Sequence, residues 1–542
     1  MFQRDSAFRT WSQACRNSPA TWACICLVTW TVEAALLWPV HASLLNWDEV
    51  DYVNAARLGI VANALEKGSL SPSEFVQFGL SKMRSTGVVL PERYIEGRDP
   101  FVLRHGHPPF VVFLLSLVAH VQSERGIRSV QLFGSLIFTC AVVLSYVAVT
   151  RTVQWPGLLL VSVLALWMTR LAFGSVSFHG WEATWATVTA ALLASLSGPV
   201  AVSGRVLGIG LSMVLALSAL TLETGLVLWV GTMAWLAVWR WSEARVGGPR
   251  AGGTKVALRD LAMWFCLAGS LVLVIWPASI SGISVLKTFA TRAYTAHLGQ
   301  EYATVSYMTL ARDLLPALVL GGIGLGWLVV TGAGCIRQWG PFALIGCLYG
   351  LAMGPFAVQS HYLVPAAAPL VCLAGLACDR IPAGARIALL AVACVAVAVA
   401  WPAGSISLRD RESREDLQWL SEALRAQEAL VDGGHIYRYY LGPHYGIQSV
   451  EVGSQGDVLL LRERGTYRKL RSEDILGRLV VIQATRPDTL LGGVQGPILR
   501  DCSRMDRFTV RVYDCRVAGT LERHDADRGG PDVSATVRLG GK

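Results

Sequence analysis

The chain has 542 residues, 53% of them hydrophobic and 16% charged, with a mean hydropathy of +0.46 and 19 tryptophans. Soluble domains carry about 25% charged residues, so these values exclude an ordinary soluble protein and describe a polytopic α-helical membrane protein with an appended soluble part. The net charge of +9 does not mark a nucleic-acid binder, because the arginines sit in short connectors between apolar runs, where positive charge orients a membrane protein.

Arg4, Arg9 and Arg16 precede an apolar run at 21–40, long enough to cross ~30 Å of hydrocarbon. Positive charge makes 1–20 a cytoplasmic N-terminus and places the residues after the run outside. Val40-His41-Ala42 offers a competing reading as a signal-peptide cleavage site; the length of the run favours an uncleaved anchor. The chain then enters Asn46-Trp47-Asp48-Glu49-Val50-Asp51-Tyr52. Acidic residues contribute little to orientation, so carboxylates here are candidates for a general base or a metal ligand. The plainer reading makes Asp48 and Glu49 the start of a solvated loop helix.

Residues 42–107 form a large external loop, with the spacing of a surface-lying amphipathic helix at 72–83. It ends in Arg104-His105-Gly106-His107-Pro108-Pro109-Phe110. Paired prolines suit the first turn of a helix, where missing amide hydrogens cost nothing. His105 and His107 are either groups at the mouth of a membrane cleft or ordinary interfacial histidines.

Further apolar segments lie at 108–121, 130–150, 155–173, 181–202, 206–220, 225–239, 261–277, 314–331, 341–358, 362–378 and 387–401. Basic connectors at Arg125/Arg128, Arg240 to Arg259, Arg337 and Arg380/Arg386 read as cytoplasmic. From the Arg240–Arg259 connector onward the alternation closes and leaves everything after Trp401 outside. Upstream it does not: six segments separate the Asp48 loop from that connector, where an odd number is required. Either a short one such as 108–121 fails to span or another exists, giving roughly eleven to thirteen spans in all.

Arg170, His179, Glu182 and Glu223 lie in or beside apolar sequence, where ionisable groups are costly enough to be functional candidates. An external loop at 278–312 adds Lys287, Arg292, Tyr294 and His297, suited to holding a lipid phosphate by charge and a sugar by stacking; its alternative is a plain amphipathic loop. His361-Tyr362 opens another segment on the same side.

After Trp401 hydropathy falls and a soluble α/β domain is expected at 403–520, with a helix at 412–429 and strands at 429–431, 449–452, 458–461, 479–483 and 508–513. Cys502 and Cys515 are spaced as a hairpin staple, a disulfide in an oxidising compartment or two unrelated thiols. Residues 521–542 read as a disordered tail.

Taken in order, Asp48-Glu49 after the first span, His107-Pro108-Pro109-Phe110, Thr221-Leu222-Glu223-Thr224-Gly225 and His361-Tyr362-Leu363-Val364-Pro365 resemble the motifs of the GT-C membrane glycosyltransferases. The closest flavour is the protein O-mannosyltransferase and aminoarabinose lipid A transferase branch, over residues 20 to 402. Leu222 stands where that family often has lysine, His361 where it often has arginine, and Glu182 where aspartate is common. The resemblance implies transfer of a sugar, with inversion, from a polyprenyl-phosphate carrier to a lipid, glycan or protein acceptor outside the membrane, here a bacterial inner membrane. It implies Asp48 as base and Glu49 orienting Asp48 or the acceptor. Lys287, Arg292 and His361 would face the carrier phosphate, with Arg170 in reserve, and Glu182 and His107 would shape the sugar pocket. It leaves a divalent metal open, without a ligand set. The competing readings are a transporter or flippase of lipid-linked substrates, since many spans and intramembrane charges also describe transporters, and an inactive GT-C relative.

Overall fold

The computed structural model describes residues 19–41, 49, 52–53, 56, 108–119, 124–150, 155–174, 178–197, 204–245, 253–276, 307–330, 336–353, 360–400, 408–423, 429–432, 449–455, 458–463, 466–469, 475, 478–483, 502–507 and 510–516. They fall into a helical unit and an α/β unit. The expected helix at 72–83, residues 278–306 of the loop expected at 278–312, and the tail at 521–542 lie outside them, while 307–312 belong to a described helix.

The helical unit comprises α1 (Pro19–His41), α2 (Phe110–Ala119), α3 (Glu124–Val149), α4 (Trp155–Phe173), α5 (Phe178–Ser197), α6 (Gly204–Thr221), α7 (Leu226–Arg245), α8 (Gly253–Ile275), α9 (Tyr307–Val330), α10 (Ile336–Met353), α11 (Val364–Cys378) and α12 (Ala383–Ala400). Among the described residues, five helices are long and apolar enough to cross a membrane, namely Ala20–Leu37, Gly126–Val149, Trp155–Phe173, Gly204–Thr221 and His361–Cys378. Shorter apolar helices cover Leu226–Trp239, Pro316–Val330 and Ala383–Ala398. Large apolar side chains such as Val274, Val330, Leu351 and Ile387 remain exposed on their outer faces, the pattern of helices solvated by lipid, whose tails are as apolar as leucine. The protein is therefore an integral membrane protein.

The interior is organised around α5 and α11. Helix α11 packs on α3, α4, α5, α9 and α10, and α5 on α3, α6, α7, α10 and α11. Small residues make this approach close: α11 reads Val-Pro-Ala-Ala-Ala-Pro-Leu and is buried along almost its whole length. Pro365, in the first turn of α11, sits where a proline costs no hydrogen bond. The Pro108-Pro109 pair likewise precedes α2, whose first bond runs from the Phe113 amide to the Pro109 carbonyl at 2.8 Å.

The structure bears on two of these expectations, the possibility that segment 108–121 does not span and the placing of Arg128. Segment 108–121 forms only the 10-residue α2, about 15 Å long at 1.5 Å per residue, which is half of what a span requires. Arg128, read as part of a cytoplasmic connector, is instead buried against Glu49 with Nη1 2.9 Å from Oε1. Helix α3 therefore starts at the end of the unit where Glu49 lies.

The α/β unit carries α13 (Leu408–Ala423) and strands β1 (Ala429–Asp432), β2 (Ser449–Gln455), β3 (Val458–Glu463), β4 (Thr466–Lys469), β5 (Leu479–Gln483), β6 (Ser503–Asp506) and β7 (Val510–Asp514). The sheet order is β4-β3-β2-β1-β5-β7-β6. Strand β1 pairs in parallel with β2 and β5, in register Leu430 to Val450 and Leu430 to Val480, and the outer strands are antiparallel. The α/β class expected of this region holds. The helix runs 408–423 and not 412–429, and strands β4 and β6 were not expected. Both are four-residue edge strands, Thr-Tyr-Arg-Lys and Ser-Arg-Met-Asp, whose polar residues carry no apolar alternation and suit an edge that must not pair further. Cys502 and Cys515 form a disulfide across the base of the β6–β7 hairpin. Asp416 of α13 is fully buried 3.4 Å from Arg507, whose guanidinium lies 4.9 Å over the Trp419 ring.

Candidate active site

The candidate residues that fall within the described parts of the helical unit gather at one end of it. Glu49 is 2% exposed and its Oε1 accepts from Arg128 Nη1 at 2.9 Å and from Gln131 Nε2 at 2.9 Å; the same Arg128 nitrogen also donates to Gln131 Oε1 at 2.9 Å. Arg128 and Gln131 are one turn apart on α3, so both project from one helical face. A buried carboxylate is tolerable only when paired and hydrogen-bonded, and this cluster meets that condition. Two nearby residues, Tyr52 and Ala56, make further contacts with the helical unit. Tyr52 meets Phe178 edge to face, with ring centroids 4.6 Å apart, and the Ala56 carbonyl accepts from Ser116 Oγ of α2 at 3.0 Å.

Phe178 and His179 open α5. His179 is buried, and its ring lies 5.0 Å from that of His361 and 4.3 Å from that of Tyr362, both half-buried. His361 and Tyr362 stack on each other at 4.8 Å within the 3-10 turn Ser360–Leu363. Two imidazoles and a phenol thus share one surface at the start of α11. Each ring presents polar atoms at its rim, and an imidazolium there would attract an anion.

One turn further along α5, Glu182 is fully buried and accepts hydrogen bonds from Ser218 Oγ of α6 at 2.6 Å and from the Tyr349 hydroxyl of α10. Trp185 donates its indole N–H to Thr221 Oγ1 at 2.9 Å. Phe110 at the start of α2 meets Trp181 and Trp185 edge-on at 5.4 and 5.8 Å, and with Leu220, Val272 and Trp276 it forms an apolar cluster where α2, α6 and the end of α8 converge. Arg170 stands on the last turn of α4, its guanidinium 6.0 Å from the Trp167 ring. Helix α4 packs on the Ser360–Leu363 turn.

The motif Thr221-Leu222-Glu223-Thr224-Gly225 forms the end of α6 and a 3-10 turn, closed by the Gly225 amide on the Leu222 carbonyl at 2.8 Å. A Cβ at Gly225 would stand 2.5 Å from the Ser218 backbone, so only glycine fits. Leu222, where lysine is frequent in the resembled family, is buried at 1% exposure.

Asp48, His105, His107, Lys287, Arg292, Tyr294 and His297 lie outside the described residues, as does the side chain of Glu223. Among the described residues no three His, Cys, Asp or Glu side chains form a group that could hold a metal ion. Arg128, Gln131, Ser218 and Tyr349 were not anticipated. Nor was Glu33, an intramembrane carboxylate on α1 that is fully buried and accepts from Thr139 at 2.6–2.7 Å. The rule that an ionisable group within an apolar run is a candidate would have found Glu33.

No family model matches the chain, and no curated protein matches it. Among solved structures, ArnT from Cupriavidus metallidurans bound to undecaprenyl phosphate aligns with a TM-score of 0.56 at 14% identity, covering 91% of this chain and 97% of that one. The apo state of the same protein aligns with a TM-score of 0.56 at 13% identity, over 97% of this chain and 100% of that one. An Archaeoglobus fulgidus oligosaccharyltransferase crystallised with Zn and sulfate aligns at 0.45 and 11% identity, over 78% of this chain and 62% of that one. At such identities the ArnT likeness is one of fold: a membrane-embedded helical unit and a C-terminal α/β unit arranged along the chain as in that ArnT.

Proposed function

We propose that the protein is a glycosyltransferase that moves a sugar from a polyprenyl-phosphate carrier to an envelope acceptor, lipid, glycan or protein, at the external face of a bacterial inner membrane. The observation that carries this reading is the convergence at one membrane end of the buried Glu49–Arg128–Gln131 cluster and the His179–His361–Tyr362 surface, in a fold shared with an ArnT bound to undecaprenyl phosphate. The Cys502–Cys515 disulfide of the C-terminal unit supports its location in an oxidising compartment.

In the proposed reaction the acceptor hydroxyl oxygen attacks the anomeric carbon from the face opposite the carrier. The new C–O bond forms as the bond to the phosphate oxygen breaks, the acceptor proton passes to Asp48, and the electron pair leaves with the carrier phosphate. Inversion is the outcome of this single displacement. Asp48 neighbours Glu49 in the chain, and Glu49, held by Arg128 and Gln131, would fix the backbone from which Asp48 acts. The leaving phosphate gains charge and calls for cations aimed at it; His361, Lys287 and Arg292 are assigned that role, with Arg170 near the same end. His107 would shape the sugar pocket, and Glu182, which accepts from Ser218 and Tyr349, would act on that pocket through the helices it joins.

The test is glycosyl transfer by the purified protein in nanodiscs, supplied with a panel of polyprenyl-phosphate sugars. Wild type should consume a carrier sugar and Asp48→Asn should lose on the order of 100-fold to 10,000-fold in rate, the range for a general base. Undiminished Asp48→Asn would remove Asp48 as base. A carrier lipid that is moved across the bilayer without glycosyl transfer would make the protein a flippase.

A further inference from the structure

We propose that Glu182 is a positioning residue whose single buried carboxylate sets three separate stretches of the candidate site against one another. The inference rests on the glycosyltransferase reading for its kinetic consequence and on the geometry alone for its structural one.

Three helices meet at this carboxylate. Glu182 itself belongs to α5, one turn from His179, so a shift of this part of α5 moves both residues. Ser218, which donates to Oε1 at 2.6 Å, belongs to α6, and its carbonyl accepts from the Leu222 amide at 3.1 Å. Gly225 closes against the same Ser218 backbone, so the Thr221–Gly225 turn is built upon the residue that Glu182 holds. Tyr349, donating to the same Oε1, lies one turn from the end of α10, and α10 packs on the Ser360–Leu363 turn that carries His361 and Tyr362. One oxygen atom therefore connects the His179 turn, the Thr221–Gly225 turn and, through α10, the His361–Tyr362 turn. The hydrogen bond from Trp185 to Thr221 at 2.9 Å ties α5 to the end of α6 a second time.

A carboxylate fully buried among membrane helices is costly, and an apolar residue of similar volume would be tolerated more cheaply. Glu182 is 0% exposed, and the hydroxyls of Ser218 and Tyr349 donate to it from α6 and α10. It acts through the elements it joins.

The experiment uses the full chain in nanodiscs and reads backbone amide exchange by mass spectrometry at 178–185, 221–225 and 360–363, alongside turnover of the polyprenyl-phosphate sugar that wild type consumes. Glu182→Ala should raise exchange in all three stretches together and lower kcat on the order of 10-fold to 100-fold, the effect of a displacement of about 1 Å at a reacting centre. Glu182→Gln keeps an oxygen that accepts both hydroxyls, and should restore exchange and most of the turnover. Tyr349→Phe should loosen 360–363 with 221–225 nearly unchanged, and it carries the test together with Ser218→Ala should Glu182→Ala fail to accumulate. Exchange that rises only within α5, or nowhere, would overturn the inference. So would a Glu182→Gln protein as inactive as Asp48→Asn with wild-type exchange, because Glu182 would then be touching substrate. If wild type consumes no carrier sugar, the glycosyltransferase reading fails while the exchange pattern still decides whether Glu182 joins these stretches.

Discussion

At the Glu49 end of the helical unit, an arginine and a glutamine close on a buried carboxylate, and His361 and Tyr362 beside His179 stay half-exposed. At the opposite end Tyr146 of α3 donates to Asp379 just beyond α11, and Trp235 of α7 donates to Ser197 of α5 at 2.8 Å. Tyr146, Asp379, Ser197 and Trp235 are all buried there, and Gly157 lets α4 close over the Tyr146–Asp379 pair. Both ends bury carboxylates. At the Glu49 end the Glu49–Arg128 ion pair lies in the same part of the unit as the half-buried rings of His361 and Tyr362. At the opposite end the Tyr146 hydroxyl meets the Asp379 carboxylate and the Trp235 indole meets Ser197, all of them buried.

The comparison predicts that function and stability separate between the ends. Arg128→Ala strips a buried carboxylate of its partner, so it should cost about 3–5 kcal/mol in unfolding followed by fluorescence in detergent, and should abolish transfer. Replacing the pair together, Glu49→Gln with Arg128→Met, should recover much of the stability because no lone charge remains, yet leave transfer impaired. Recovery of transfer in the double variant would show that the cluster is packing alone. Tyr146→Phe at the opposite end removes a donor to a carboxylate and should cost about 1.5–3 kcal/mol, with transfer per folded molecule unchanged. A fall in specific activity there would mean that the two ends are coupled.

Gly225→Ala tests the Glu49 end without touching a charge. Its Cβ would press on the Ser218 backbone at 2.5 Å, and overpacking of this kind costs about 1–3 kcal/mol. Because Ser218 also donates to Glu182, the loss should be smaller in a Ser218→Ala background if side-chain repositioning relieves it, and undiminished if the backbone alone is in conflict. A two-by-two unfolding series distinguishes these outcomes.

How much of this was legible in the chain depended on whether a residue's partner lay nearby in sequence. His179, Glu182, His361 and Tyr362 stood out because ionisable or polar groups beside apolar runs are rare. Arg128 was misread because the charge rule counts arginines without seeing that this one closes on Glu49, 79 residues away. Ser218 and Tyr349 are hydroxyl residues within apolar helices, too common to single out until folding brings them to Glu182 across 36 and 167 residues. In the α/β unit, β1, β2, β3, β5 and β7 announced themselves by apolar runs, while β4 and β6 are polar edges whose only strand signal is the neighbour they pair with.

The smallest expected effect asks how much of the Glu49–Arg128 stabilisation comes from burial, by examining an ion pair that lacks it. In the α/β unit Arg516 Nη2 lies 2.5 Å from Asp514 Oδ2 with the arginine 45% exposed, and the hydrogen bonds from Arg516 hold the Asp514 carboxyl below the usual carboxylate range. A carboxyl depressed on folding stabilises the native state above its unfolded pKa of about 3.9, and that contribution disappears as pH falls through the lower folded value. Asp514→Asn should therefore be less stable than wild type at neutral pH, and the difference should vanish in acid. Solvent screening limits the loss to about 0–1 kcal/mol, and salt should shrink it further. Thermal unfolding of the full protein in nanodiscs, followed through the α/β unit's transition at several pH values and salt concentrations, measures it. A loss for Asp514→Asn as large as that for Arg128→Ala would show that burial is not what separates the two pairs. A loss near zero would leave burial as the source of the difference, and with it the reason that Glu49 needs both Arg128 and Gln131.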